Sequence, residues 1–167
     1  YCYNRLDHTK RSLLKILEYR KDFHLYIFSD AAKDAANQDV IDVRRYLKNT
    51  TSSLDNTTII LRNKNYGLSS NVINGISQVF KDGFDAVIVL EDDCVTEIAF
   101  FNFILSSLNF YANNEGVMHI SGFGLPLKHK FNKDYYFTPY PCSWGWGTWK
   151  SNWCACDFED NIFYNKI

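Results

Sequence analysis

The chain of 167 residues has the size of one ordinary domain, long enough to bury a sizeable core. Its 46% hydrophobic and 17% aromatic residues exclude a disordered segment, and a net charge of −1 with scattered Lys and Arg gives no footprint for nucleic acid. No apolar run is long enough for a membrane span and no signal peptide opens the sequence. A protein without a transmembrane segment is therefore expected, acting in the cytoplasm or at the inner face of a membrane.

In chain order, Tyr1-Cys2-Tyr3 leads straight into Asn4-Arg5 with no apolar residues ahead to complete a strand. The sequence stops inside an aromatic segment at Lys166-Ile167, so a single domain truncated at both ends is expected. Leu13, Leu14, Ile16 and Leu17 form an apolar stripe behind Thr9, which predicts a helix over about 9–21. Leu25-Tyr26-Ile27-Phe28 reads as a short buried strand ending in Ser29-Asp30. Val40, Ile41, Val43, Arg44 and Leu47 predict a second helix, and the β-branched run Thr57 to Leu61 the next strand. A turn over Asn63 to Gly67 precedes a third helix, with Val72, Ile73, Ile76, Val79 and Phe80 inward. The run Ala86-Val87-Ile88-Val89-Leu90 reads as a central strand covered on both faces, and it ends in Glu91-Asp92-Asp93. A helix over about 97–111 and a strand over Val117 to Ile120 follow. Strands alternating with helices predict a parallel sheet built from right-handed crossovers.

Arg5, Asp30, Asn65 to Asn71 and Glu91 to Asp93 thus fall at or just beyond the carboxyl ends of successive strands, where open α/β sheets bind ligands. Three adjacent carboxylates repel one another, so the triplet is stable mainly where a divalent cation, donor groups or water neutralises it. A metal-bound polyphosphate is the expected ligand. The plainer reading makes Asp93 or Thr96 the cap of the next helix, with Glu97 in its first turn; capping suits one acid and leaves three poorly explained. Taken singly, Arg5 and Asp7 also read as a surface pair, Asp30 as a turn former and Gly67 as a residue of positive φ.

The segment from Trp144 to Trp153 holds four tryptophans separated by Gly145 and Gly147. Indole faces stack on sugars and glycines admit a close approach, so Trp146 and Gly147 are expected nearer a ligand, with core packing as the competing role. The five cysteines, Cys2, Cys94, Cys142, Cys154 and Cys156, are odd in number and lack framework spacing, which favours reduced thiols. A zinc site of Cys142, Cys154, Cys156 and His129 lacks the usual two-residue spacer.

Tyr3-Asn4-Arg5, Phe28-Ser29-Asp30, Asn65-Tyr66-Gly67-Leu68-Ser69-Ser70-Asn71, Val89-Leu90-Glu91-Asp92-Asp93 and Ser143 to Lys150 together resemble a glycosyltransferase of the GT-A fold. The likeness is to N-acetylglucosaminyltransferase I and bacterial family-2-type enzymes. It implies a mostly parallel, Rossmann-like α/β sheet flanked by helices, and transfer of a sugar from a UDP-sugar to a glycan or lipid-linked saccharide, with inversion. In such enzymes the triplet is the form taken by the DxD motif. By that resemblance Asp93 would bind Mn²⁺ or Mg²⁺ directly, while Glu91 and Asp92 would contact ribose, donor sugar or metal-bound water. Arg5, Asp30 and Asn71 match positions that hold uracil and ribose, with Tyr3, Asn65 and Gly67 completing the nucleotide side. A carboxylate at Asp30 could accept from uracil N3–H, a proton that cytosine lacks.

The catalytic base of such enzymes lies beyond the tryptophan-rich segment, where Asp157, Glu159 and Asp160 are at hand and no motif selects among them. Two rival readings stand beside this one. A haloacid-dehalogenase-like phosphatase would want an aspartate nucleophile where Glu91 stands. A non-catalytic carbohydrate-binding module would fit the aromatic content, yet has no need of Arg5, Asp30 and the triplet at strand ends.

Overall fold

In a computed structural model the structure describes residues 1–19, 23–34, 37–124 and 135–158. Alternating helices and strands build a mixed α/β domain with five helices among the described residues. The first helix, α1 (Leu6–Tyr19), starts three residues ahead of Thr9, whose side chain is buried within it. Strand β1 (Leu25–Ser29) follows, then α2 (Gln38–Thr51), whose first turn is capped by Asn37 Oδ1 accepting from Val40 N–H at 3.3 Å. Strand β2 (Thr57–Leu61) pairs in parallel with β1, Leu25 opposite Thr57 and Ser29 opposite Leu61. Helix α3 (Leu68–Lys81) begins after Gly67, whose φ of 75° is the left-handed turn that glycine adopts without strain.

Strand β3 (Ala86–Val89) alternates in burial as a strand does, Val87 and Val89 buried on one face and Ala86 and Ile88 partly buried on the other. Val87 and Val89 pack with Ile76 and Phe80 of α3. Ala86 and Ile88 face the opposite cluster, built on Ile104 and Leu108 of α4 (Ile98–Phe110). The predicted strand over Val117 to Ile120 contracts to β4 (Ile120–Ser121). Side chains take the carbonyls that a longer ladder would use: Thr148 Oγ1 donates to Met118 O at 2.8 Å and Asn152 Nδ2 to Val117 O at 3.1 Å.

The largest departure from the sequence reading is β5 (Trp146–Trp149), which the pattern did not announce as a strand. It lies between β3 and β4 and runs antiparallel to both, so the second sheet is three-stranded and antiparallel. A short helix α5 (Lys150–Cys154) leaves its end. Among the described residues the expected run of mostly parallel strands is therefore present only in β1 and β2, with one further parallel bridge between Cys2 and Ser29. Residues 1 and 2 connect the two sheets. Cys2 N–H donates to Phe28 O at 2.9 Å, while the Tyr1 amino group donates to Leu90 O at 2.8 Å. Among the described residues no helix is long and apolar enough to cross a membrane.

Candidate functional site

The polar residues singled out at strand ends gather along one rim of this double sheet, in two groups. The first group stands where β1 and β2 end. Asp30 is only 5% exposed, and its carboxylate accepts from the backbone N–H groups of Ala31, Tyr66 and Gly67 at 2.9–3.1 Å. Asn65 Nδ2 donates to Ala31 O. These bonds tie the loop before α3 to the end of β1, so Asp30 and Asn65 set the shape of the turn that carries Gly67. The turn-former role weighed for Asp30 is thus its role in this geometry. Asn71 is buried and accepts through Oδ1 from Arg62 Nε at 3.0 Å.

Arg62 is a site residue that the sequence reading passed over. Its guanidinium lies 5.3 Å from the Phe28 ring centre and 5.1 Å from that of Tyr66. The available signal was a cation placed directly after an apolar strand, on the rim that holds Asp30. Tyr3 is half-buried in the short turn between Cys2 and α1.

The second group stands where β3 ends. Arg5 reaches across from the start of α1 and pairs with both Asp92 and Asp93, the latter at 2.9 Å. The hydrogen bond to Asp92 raises the Arg5 pKa further above its ordinary value. Asp92 is buried, and its second oxygen, Oδ2, has no partner among the described residues. Asp93 is exposed, with 44% of its side chain open to solvent. Burial, and then the charge of Asp93, push the Glu91 carboxyl above its usual value.

Neither capping assignment for α4 is met. The N-cap is Glu97, which makes no side-chain cap bond, and Thr96 Oγ1 is buried without a partner among the described residues. Asp93 faces Arg5 instead. The triplet therefore stands at the rim for reasons other than closing the next helix.

The donor set at this end is all oxygen and hard, with Asp93 open and Glu91 beside it, and this suits Mg²⁺ or Mn²⁺. Among the described residues no three His, Cys, Asp or Glu side chains gather into an all-protein cage. One or two carboxylates completed by phosphate oxygens and water is the arrangement that such ions accept. Cys142, Cys154 and Cys156 are free thiols, and His129 lies outside the described residues.

The tryptophans divide by depth. Trp149 is buried and donates Nε1–H to Leu108 O at 3.1 Å. Trp146 stacks on His119, with ring centres 4.9 Å apart, and leans on Trp153. Gly147 sits mid-strand beneath α4, where an added Cβ would lie 3.1 Å from Ile104, Leu108 and the Val87 carbonyl. Core packing thus accounts for Gly147. Trp144 is 60% exposed, and the adjoining Gly145 packs against Leu90, at the end where the triplet begins. Of the acids considered for the base, Asp157 is exposed beyond α5, while Glu159 and Asp160 lie outside the described residues.

No family model matches the chain, and comparison with curated proteins returns no match.

Proposed function

We propose that this chain is the nucleotide-sugar-binding domain of a metal-dependent glycosyltransferase, of GT-A type, using a UDP-sugar and a glycan or lipid-linked saccharide acceptor. The observation that carries the reading is the Arg5 bridge to Asp92 and Asp93, set on the same rim as Asp30, Arg62 and Asn71. A guanidinium beside an open carboxylate can hold a diphosphate together with its counter-ion. Asp93, assisted by Glu91, would hold Mn²⁺ or Mg²⁺, and Arg5 would take a phosphate oxygen. When bound there, the cation neutralises charge developing on the departing diphosphate. The uridine would lie over the turn that Asp30 and Asn65 hold in shape, with Arg62 and Asn71 at its edge. Trp144, rather than Trp146, would be the aromatic group offered to a sugar at the β3 end.

Calorimetric titration with UDP tests this. Binding is expected with Mn²⁺ present, much weaker with EDTA, and lost in Asp93→Ala with Mn²⁺. Unchanged affinity across those three arms would sink the reading. The exposed pair of Trp144 and Phe123, with ring centres 4.8 Å apart, favours a carbohydrate-binding module as the second reading. Binding of free N-acetylglucosamine without UDP or metal would select it.

A further inference from the structure

A cavity of about 360 Å³ lies between β1 and β3 and is lined by both strands along their length. Its walls are mostly apolar above and below the sheet, with Leu13 of α1 and Phe101 of α4 on one side and Ile76 and Val79 of α3 on the other, and with Thr9 and Ser12 of α1 as polar lining. The backbone edges that face it meet Tyr1 and Cys2 at their carboxyl ends and no strand along the rest of their length among the described residues. Phe28 C=O bonds to Cys2, on the side away from β2, so by the two-residue period Tyr26 also turns its N–H and C=O toward the cavity. On the opposite wall, Lys150 N–H donates to Asp85 O at 2.9 Å. That bond assigns Asp85, Val87 and Val89 to the β5 ladder and turns Ala86, Ile88 and Leu90 inward. Beyond the Cys2 bridge, two facing strand edges without a strand partner among the described residues call for hydrogen bonds that these mostly apolar walls do not supply.

Tyr1 and Cys2 already form the last rung between these edges. Cys2 runs parallel to β1 at Ser29, and the Tyr1 amino group bonds to Leu90 O as a strand amide would. We propose that the slot is the seat of a parallel β-strand supplied by chain joined ahead of Tyr1, entering the sheet between β1 and β3 and fusing the two sheets into one. The direction of Cys2 selects this occupant over others, because a chain reaching Cys2 along its own course passes through the slot. Helices cover both faces, so the strand is a continuous apolar run matching the five residues of β1, without polar alternation.

The test compares three five-residue extensions ahead of Tyr1: Val-Ile-Val-Ile-Val, the same with Pro at its centre, and Gly-Ser-Gly-Ser-Gly. Hydrogen exchange is read at Tyr26, Phe28 and Ile88, with mass and melting temperature measured on each. The apolar strand should slow exchange at all three amides by about tenfold or more and raise the melting temperature, as a monomer. The proline variant keeps most of the hydrophobicity but loses a ladder donor, and should protect far less. Should the unextended chain not fold, the same order is read as rescue of folding by the apolar extension alone. Equal behaviour of all three extensions overturns the proposal. So does protection that appears only in a concentration-dependent dimer, which would assign the slot to a second copy. An apolar small molecule found by native mass spectrometry, and not displaced by the extension, would also overturn it.

Discussion

Asp93 pairs with the Arg5 guanidinium at 2.9 Å, accepts weakly from the Cys94 thiol at 4.0 Å, and keeps 44% of its side chain open to water. Such pairs contribute about 0–1 kcal/mol, so Asp93→Ala should melt within a few degrees of the parent while losing Mn²⁺-dependent UDP binding. Asp30 is the opposite case. Removing a buried carboxylate that receives three backbone donors should cost roughly 3 kcal/mol of stability in Asp30→Ala, measured by urea unfolding. Loss of UDP affinity in that variant without loss of stability would show that Asp30 touches the base and does not hold the turn.

His119 provides the pH test. Burial against Trp146 lowers its pKa, so the unfolded chain takes up the proton more readily than the folded one. Stability linked to His119 is then full above the ordinary value of 6.5 and falls as pH drops toward the lower, folded value. His119→Phe keeps a ring on Trp146 and should flatten that acid-side decline in thermal melts taken across the range. An unchanged slope would assign the decline to other groups. The rim residues were readable in sequence because charge set directly after an apolar run marks a strand end. Their partners were not, since the Arg5 bridge spans 87 and 88 positions and no local pattern encodes such a contact.

At the scale of elements, apolar periodicity marked α2, α3, β1 and β2 within a few residues, because each buries one stripe or one run against a neighbour. It missed β5, whose sequence Trp-Gly-Thr-Trp has neither a long apolar run nor a simple alternation. Its strand character comes from its place between β3 and β4, where Gly147 lets α4 lie close. Gly147→Ala should therefore destabilise the fold by about 1–3 kcal/mol through overpacking, with UDP affinity unchanged at temperatures where the variant stays folded. A variant of parental stability with weakened UDP binding would return Gly147 to the ligand side. The early start of α1 has a similar cause: Thr9 N–H bonds to Arg5 O at 2.9 Å, so Thr9 lies inside the helix that its residue type was expected to open.

For the whole molecule, the alternation of helix and strand foretold the α/β class, but pairing between distant strands decided how the sheets divide. Under the proposed function a nucleotide spans both halves of the rim. UDP with Mn²⁺ should slow exchange at Tyr66 and Gly67 together with Cys94, in one transition. Protection confined to one group would place the ligand on one sheet only. The Arg5 bridge gives this binding a particular thermodynamics. Before any ligand arrives, Arg5 acts as an internal counter-ion for Asp92 and Asp93. Manganese alone would have to compete with that guanidinium for Asp93, and UDP alone would have to draw it from the carboxylates. Arriving together, metal and diphosphate exchange partners with the pair, and each ligand releases the group that the other needs. Such coupling is reciprocal, so the factor by which Mn²⁺ tightens UDP must equal the factor by which UDP tightens Mn²⁺, and Arg5→Ala should shrink both by the same amount.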